Sequence, residues 1–77
     1  GEIPKEIGKC SKLKWLSLYN NKLTGSIPEE TTQLKELEVL LLQQNELTGR
    51  VPDELLKLPK LKKKMFNKNN FGARARL

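Results

Sequence analysis

The residues able to do chemistry in this 77-residue chain are few, and their spacing does not bring them together as a catalytic set. There is no histidine, so neither a Ser–His nor a Cys–His nucleophile pair can be assembled. Cys10 is the single cysteine, which excludes an internal disulfide and any cysteine-based metal cluster. Metal ligation would rest on carboxylates alone. The groups Glu29-Glu30, Glu36/Glu38 and Asp53-Glu54 read as solvated surface charge rather than as a cage for a hard cation. No glycine-rich phosphate loop of the usual spacing occurs. The sequence therefore offers no catalytic, cofactor-binding or metal-binding residue and reads as non-enzymatic. Two other groups could still recognise a partner: the aromatic pair Trp15 and Tyr19, and a run of basic residues near the carboxyl end.

The charge is uneven. The net value is +6. Residues 1–24 carry five lysines against Glu2 and Glu6, and residues 25–48 carry Lys35 against five glutamates. Residues 49–72 carry seven basic residues against Asp53 and Glu54, and Arg74 and Arg76 follow. An acidic middle thus stands between two basic ends. The basic end (Lys62, Lys63 and Lys68 with Arg74 and Arg76) is the candidate contact for a polyanion. A nucleic acid or anionic surface is disfavoured, because Phe66 and Phe71 fall in core columns and are not free to stack on bases. The longest apolar run, Val39 to Leu42, falls far short of the ~20 residues that a membrane helix needs.

The elements that must position these residues come from an internal repeat. A shift of 24 aligns Gly1, Gly25 and Gly49, then Ile3, Ile27 and Val51, then Pro4, Pro28 and Pro52, then Glu6, Glu30 and Glu54. It goes on to align Leu13, Leu37 and Leu61; Leu18, Leu42 and Phe66; Asn21, Asn45 and Asn69; and Leu23, Leu47 and Phe71. Leu16-x-Leu18 and Leu40-x-Leu42 have the period of two that sends alternate side chains to one face of a strand. The spacing of three in Ile7, Cys10 and Leu13 and in Leu55, Leu58 and Leu61 predicts a tight helical turn. The prolines suit the start of that turn, and the glutamates suit its amino-terminal dipole. A unit of strand, turn and short helical segment cannot bury its apolar side alone; stacked copies can, with their strands in a parallel sheet. Asn21, Asn45 and Asn69 follow the strands. Their amides can donate and accept at once, which predicts a structural ladder tying adjacent coils together.

The pattern L-x-x-L-x-L-x-x-N-x-L-x-G-x-I-P is met by Leu13, Leu16, Leu18, Asn21, Leu23, Gly25, Ile27 and Pro28. It is met again by Leu37, Leu40, Leu42, Asn45, Leu47, Gly49, Val51 and Pro52. In this the chain resembles the plant-type leucine-rich repeat of receptor-like kinase and receptor-like protein ectodomains and of polygalacturonase inhibitors. The resemblance implies an α/β fold: a short right-handed solenoid with a parallel sheet on its concave face. The convex side would carry 3-10 and irregular turns, and a small second sheet would form near the Gly-x-Ile-Pro segments. Three repeats are expected, at 1–24, 25–48 and 49–72, followed by a basic, frayed tail at 73–77. The resemblance also implies an extracellular or membrane-associated ectodomain, although no Asn-x-Ser/Thr sequon occurs and the family's cysteine-pair caps are missing.

If the sheet is as read, its outward columns are Trp15, Val39 and Lys63; Ser17, Leu41 and Met65; Tyr19, Gln43 and Asn67; and Asn20, Gln44 and Lys68. Relatives commonly contact peptides or proteins there, so Trp15, Ser17, Tyr19, Val39, Leu41, Gln43, Met65 and Asn67 form the candidate ligand face. Three strands of five residues cover only about 230 Å² in projection, against ~800 Å² per partner in a stable interface. The expected partners are accordingly a protein or peptide ligand and further repeats of a longer parent chain. The competing reading makes these repeats structural spacers.

Three departures from the pattern carry expectations of their own. Lys64 stands in the column of Leu16 and Leu40, which predicts that residues 61–77 are a frayed end of the stack. Thr31, in the column of Ile7 and Leu55, is expected near the rim. Cys10 shares a column with Leu34 and Leu58 and is expected in the core.

Overall fold

The computed structural model describes residues 1–72. The basic tail expected at 73–77, with Arg74 and Arg76, lies outside the described residues. Three short strands, β1 (Trp15–Ser17), β2 (Val39–Leu41) and β3 (Lys63–Met65), form a parallel sheet in the order β1-β2-β3. Its register is the 24-residue shift itself: Trp15 faces Val39 and Val39 faces Lys63, and Leu16, Leu40 and Lys64 follow in line. The return segments are 3-10 helices at Lys5–Lys9 and Glu29–Gln33 and a single α-helical turn, α1 (Asp53–Leu56).

Each return segment starts after a proline whose carbonyl accepts the amide three residues on: Ile7 to Pro4, Thr31 to Pro28 and Leu55 to Pro52. The glutamates of the repeat lie in the first turn, near the positive end of the local dipole. Gly25 and Gly49 adopt φ of 75° and 76°, which a side chain would strain. The second sheet near these glycines is reduced to single parallel bridges, Glu2 with Thr24 and Ser26 with Thr48.

In several columns burial is deepest in the middle coil. Leu34, Leu37, Leu40, Leu42 and Leu47 of the middle coil are wholly buried because a coil covers them on each side. Their counterparts Leu13, Leu18, Leu23 and Leu61 are only half-buried. Cys10 is corrected as well. It is exposed rather than in the core, since its outer side meets no neighbouring coil among the described residues.

Thr31 is also corrected. It is not at the rim but 2% exposed, and its hydroxyl donates to the Pro28 carbonyl at 2.7 Å. A polar group can be buried there because its one donor is satisfied within its own turn.

The predicted fraying from residue 61 fails for the described part of that segment. Leu42 donates to Met65 and Gln44 to Asn67, while Asn70 and Gly72 donate back to Leu47 and Gly49. Phe66 is buried and meets Phe71 edge-to-face at 6.4 Å. Lys64 keeps its place in the register yet stays exposed. At the outer coil it avoids the desolvation that an inner coil would impose.

Candidate functional site

The candidate ligand face consists of the side chains that alternation turns away from the core. Leu16 and Leu40 point inward and are buried, which leaves Trp15, Ser17, Val39 and Leu41 on the other face of the sheet. Trp15 is 64% exposed and Tyr19 49%, the two large hydrophobic residues that stand out on the surface. Val39, Leu41 and Met65 are half-buried; Ser17 and Asn67 are exposed. Register brings Trp15 beside Val39, and Ser17 beside Leu41 and then Met65. An aromatic edge on β1 therefore runs into an aliphatic centre on β2, with lysine and methionine on β3.

The columns continue past the strands for one further step. Asn20 donates to the Gln43 carbonyl and Gln44 to that of Asn67, so Tyr19, Gln43 and Asn67 remain in register. Gln43 Oε1 is buried without a partner among the described residues. The fourth predicted column is not sheet. Asn20, Gln44 and Lys68 have φ near +60° and turn the chain off the strand in a left-handed conformation.

The asparagine ladder has a direction. Asn45 Oδ1 accepts the amides of Asn21 and Leu23 at 2.9 and 3.0 Å, and its Nδ2 donates to Leu18 at 2.9 Å and Leu42 at 3.1 Å. Asn69 repeats this one coil on, accepting from Leu47 at 3.0 Å and donating to Leu42 at 2.8 Å and Phe66 at 2.9 Å. Each amide ties its own turn to the preceding coil. Asn21, in the first coil, is exposed. The predicted ladder thus has two working rungs among the described residues, not three.

The basic candidates fall on the outer coil. Lys62, Lys63 and Lys68 are exposed, and Lys62 lies 3.8 Å from Glu38. Lys60, another residue of the basic end, bonds Glu36 at 2.8 Å. That bond holds the Glu36 carboxyl below its ordinary range and raises the Lys60 ammonium, with Coulomb attraction adding to both. The signal for these pairs was available in the repeat: Glu36 and Lys60, and Glu38 and Lys62, stand 24 residues apart. A groove of about 790 Å³ is lined there by Lys62, Lys63, Lys64 and Lys68 together with Met65, Phe66 and Phe71. Sequence reasoning missed it, because a groove is a property of the folded surface and not of any one column.

Among the described residues no group of three or more acidic, cysteine or histidine side chains could hold a metal ion. No helix there is long and apolar enough to cross a membrane.

Residues 12–34 and 36–58 match the family model described as Leucine Rich Repeat, which covers more than half of the chain. The chain belongs to the leucine-rich-repeat family. Its fold is similar to a chain of the BIR3–SERK2 complex from Arabidopsis thaliana, with TM-score 0.90 and 35% identity over 95% of this chain. It is similar also to the ectodomain of the receptor kinase SOBIR1 from Arabidopsis thaliana, with TM-score 0.84 and 35% identity over 92%. A third similar structure is the plant peptide hormone receptor RGFR1 in complex with RGF2, with TM-score 0.82 and 35% identity over 95%. The plant-type form of the repeat is thereby supported. This chain spans 39%, 39% and 12% of those three chains respectively. No curated protein matches.

Proposed function

We propose that the chain is a non-enzymatic protein-interaction module. Its three repeats (1–24, 25–48 and 49–72) form one solenoid whose concave sheet face takes a peptide or protein ligand. The observation that carries this reading is the exposure of Trp15 and Tyr19 beside Val39 and Leu41. Large aromatics cost area in water and are the residue types that anchor interfaces. Similar structures are described as a receptor with RGF2 and as a complex of BIR3 with SERK2, which supports a partner of protein nature. The face is too small for a stable interface of ~800 Å² per partner. The reading therefore includes further repeats in a longer parent array, with this segment supplying part of the surface.

The test is capture of the parent protein's partner by the wild-type chain and by a Trp15→Ala, Leu41→Ala double variant. Both side chains point away from the core, so the circular dichroism spectrum and urea midpoint should hold while capture falls at least about tenfold. Unchanged capture by a folded double variant would defeat the site.

A further inference from the structure

The outward side chains of the sheet form rows that run across the strands. The first row is Trp15, Val39 and Lys63, an aromatic, an aliphatic and a cation in line. The second is Ser17, Leu41 and Met65. Trp15 and Lys63 are both exposed, and Val39 between them is half-buried. None of these outward residues is acidic. Lys63 has no ion-pair partner among the described residues. Glu38, the acid that precedes this row in the chain, lies 3.8 Å from Lys62 instead. The row thus offers an apolar seat at one end and an uncompensated positive charge at the other.

Spacing decides which ligand backbone can use both ends. Neighbouring strands lie about 4.8 Å apart, which separates β1 from β3 by about 9.6 Å. A ligand in β conformation turns residues i and i+2 toward the sheet, about 6.7 Å apart, and sends i+3 the other way. A polyproline II segment has three residues per turn, so i and i+3 share one face at a separation of about 9.3 Å. That is the span of the row. An α-helix bridges a similar distance only between residues two turns apart, about 10.5 Å. It must also be ordered along its whole length, at an entropy cost that a few contacts on so small a face do not offset. A proline-rich segment is already extended and loses little freedom on docking.

Taking the concave face as the ligand site proposed above, we infer that it binds a proline-rich segment in polyproline II conformation laid across the strands. A proline rests on Trp15, and an acidic residue three positions away meets Lys63. The proline ring packs on the indole, as in other aromatic surfaces that recognise this conformation. Val39 contacts the segment between the two ends, and the carboxylate supplies the charge that Lys63 lacks.

Trp15 is the single tryptophan, so its intrinsic fluorescence reports on the seat directly. The full chain is titrated with three blocked peptides of equal length. One is Pro-Pro-Pro-Glu-Pro-Pro, the second carries lysine in place of glutamate, and the third is Thr-Val-Thr-Glu-Val-Thr. At an ionic strength of about 0.05 M the first should bind at least about threefold tighter than either of the others. Its margin over the lysine peptide should close toward about 1 M salt. Lys63→Glu, at an exposed position, should leave the circular dichroism spectrum unchanged and reverse the preference between the first two peptides. Equal binding of the first peptide and either of the others by the unaltered chain would overturn the inference. So would a preference untouched by Lys63→Glu, or a tryptophan signal indifferent to all three peptides. If partner capture is nevertheless lost in the Trp15, Leu41 double variant, the concave face stands as the site and only this ligand class is rejected.

Discussion

The side-chain amide of Asn45 lies 2.9 Å from the carbonyl of Leu18, a residue 27 positions earlier in the chain. That bond, with those from Asn21 and Leu23 to Asn45 Oδ1, clamps the first coil to the second. Replacing Asn45 with alanine leaves two amides and a carbonyl without partners at a part-buried site. The expected loss is about 3 kcal/mol, read as a lowered urea midpoint or as loss of the transition. Asn21→Ala, which removes an exposed amide, should change stability by less than about 0.5 kcal/mol. Equal effects of the two would show that the ladder has no direction.

Gly8 is fixed by approach, not by backbone angle. A methyl group built on it would lie 2.7 Å from the Glu30 backbone oxygen, where the first 3-10 helix packs against the second. Gly8→Ala should therefore push the two segments apart and cost about 1–3 kcal/mol, as overpacking does. The counterparts Thr32 and Leu56 carry side chains, so Thr32→Ala should be far milder. Thermal unfolding of the two variants compares them directly.

Thr31 tests whether its hydroxyl or its volume matters. Valine keeps the shape but leaves the Pro28 carbonyl without the 2.7 Å hydrogen bond. The expected loss is about 1 kcal/mol. Leucine would restore the apolar column of Leu55 but add volume to a side chain only 2% exposed, and should cost more than valine. Chemical denaturation of both variants gives the order.

The Glu36–Lys60 pair should be visible by titration although both groups are exposed. The hydrogen bond to Lys60 lowers the Glu36 carboxyl, so its contribution to stability is present above the unfolded value and fades as pH falls through the lowered one. Lys60 is raised, so its contribution holds below the unfolded value and fades as pH rises through the raised one. Carbon-detected NMR should find Glu36 titrating below a free glutamate, and Lys60→Ala should bring it back up. A Glu36 midpoint indifferent to that substitution would rule out the pair in solution. Surface solvation keeps its effect on stability small.

Much of this protein was legible along the chain. The 24-residue register gave the partners of every strand residue, because in a solenoid the neighbour in space is the residue one repeat away. The period of two separated Leu16 and Leu40 from Trp15, Val39 and Leu41. What the tertiary structure alone decided was the effect of finite length. Cys10, Leu34 and Leu58 share a column, yet Cys10 is exposed while Leu34 and Leu58 are buried, a difference that the repeat pattern alone does not give. Lys64 keeps the register of Leu40 yet is exposed, because no further coil covers it among the described residues. The direction of the asparagine ladder and the close approach at Gly8 likewise appear only in the assembled stack. A repeat states what each unit offers its neighbours, and only the assembled stack determines which offers are met.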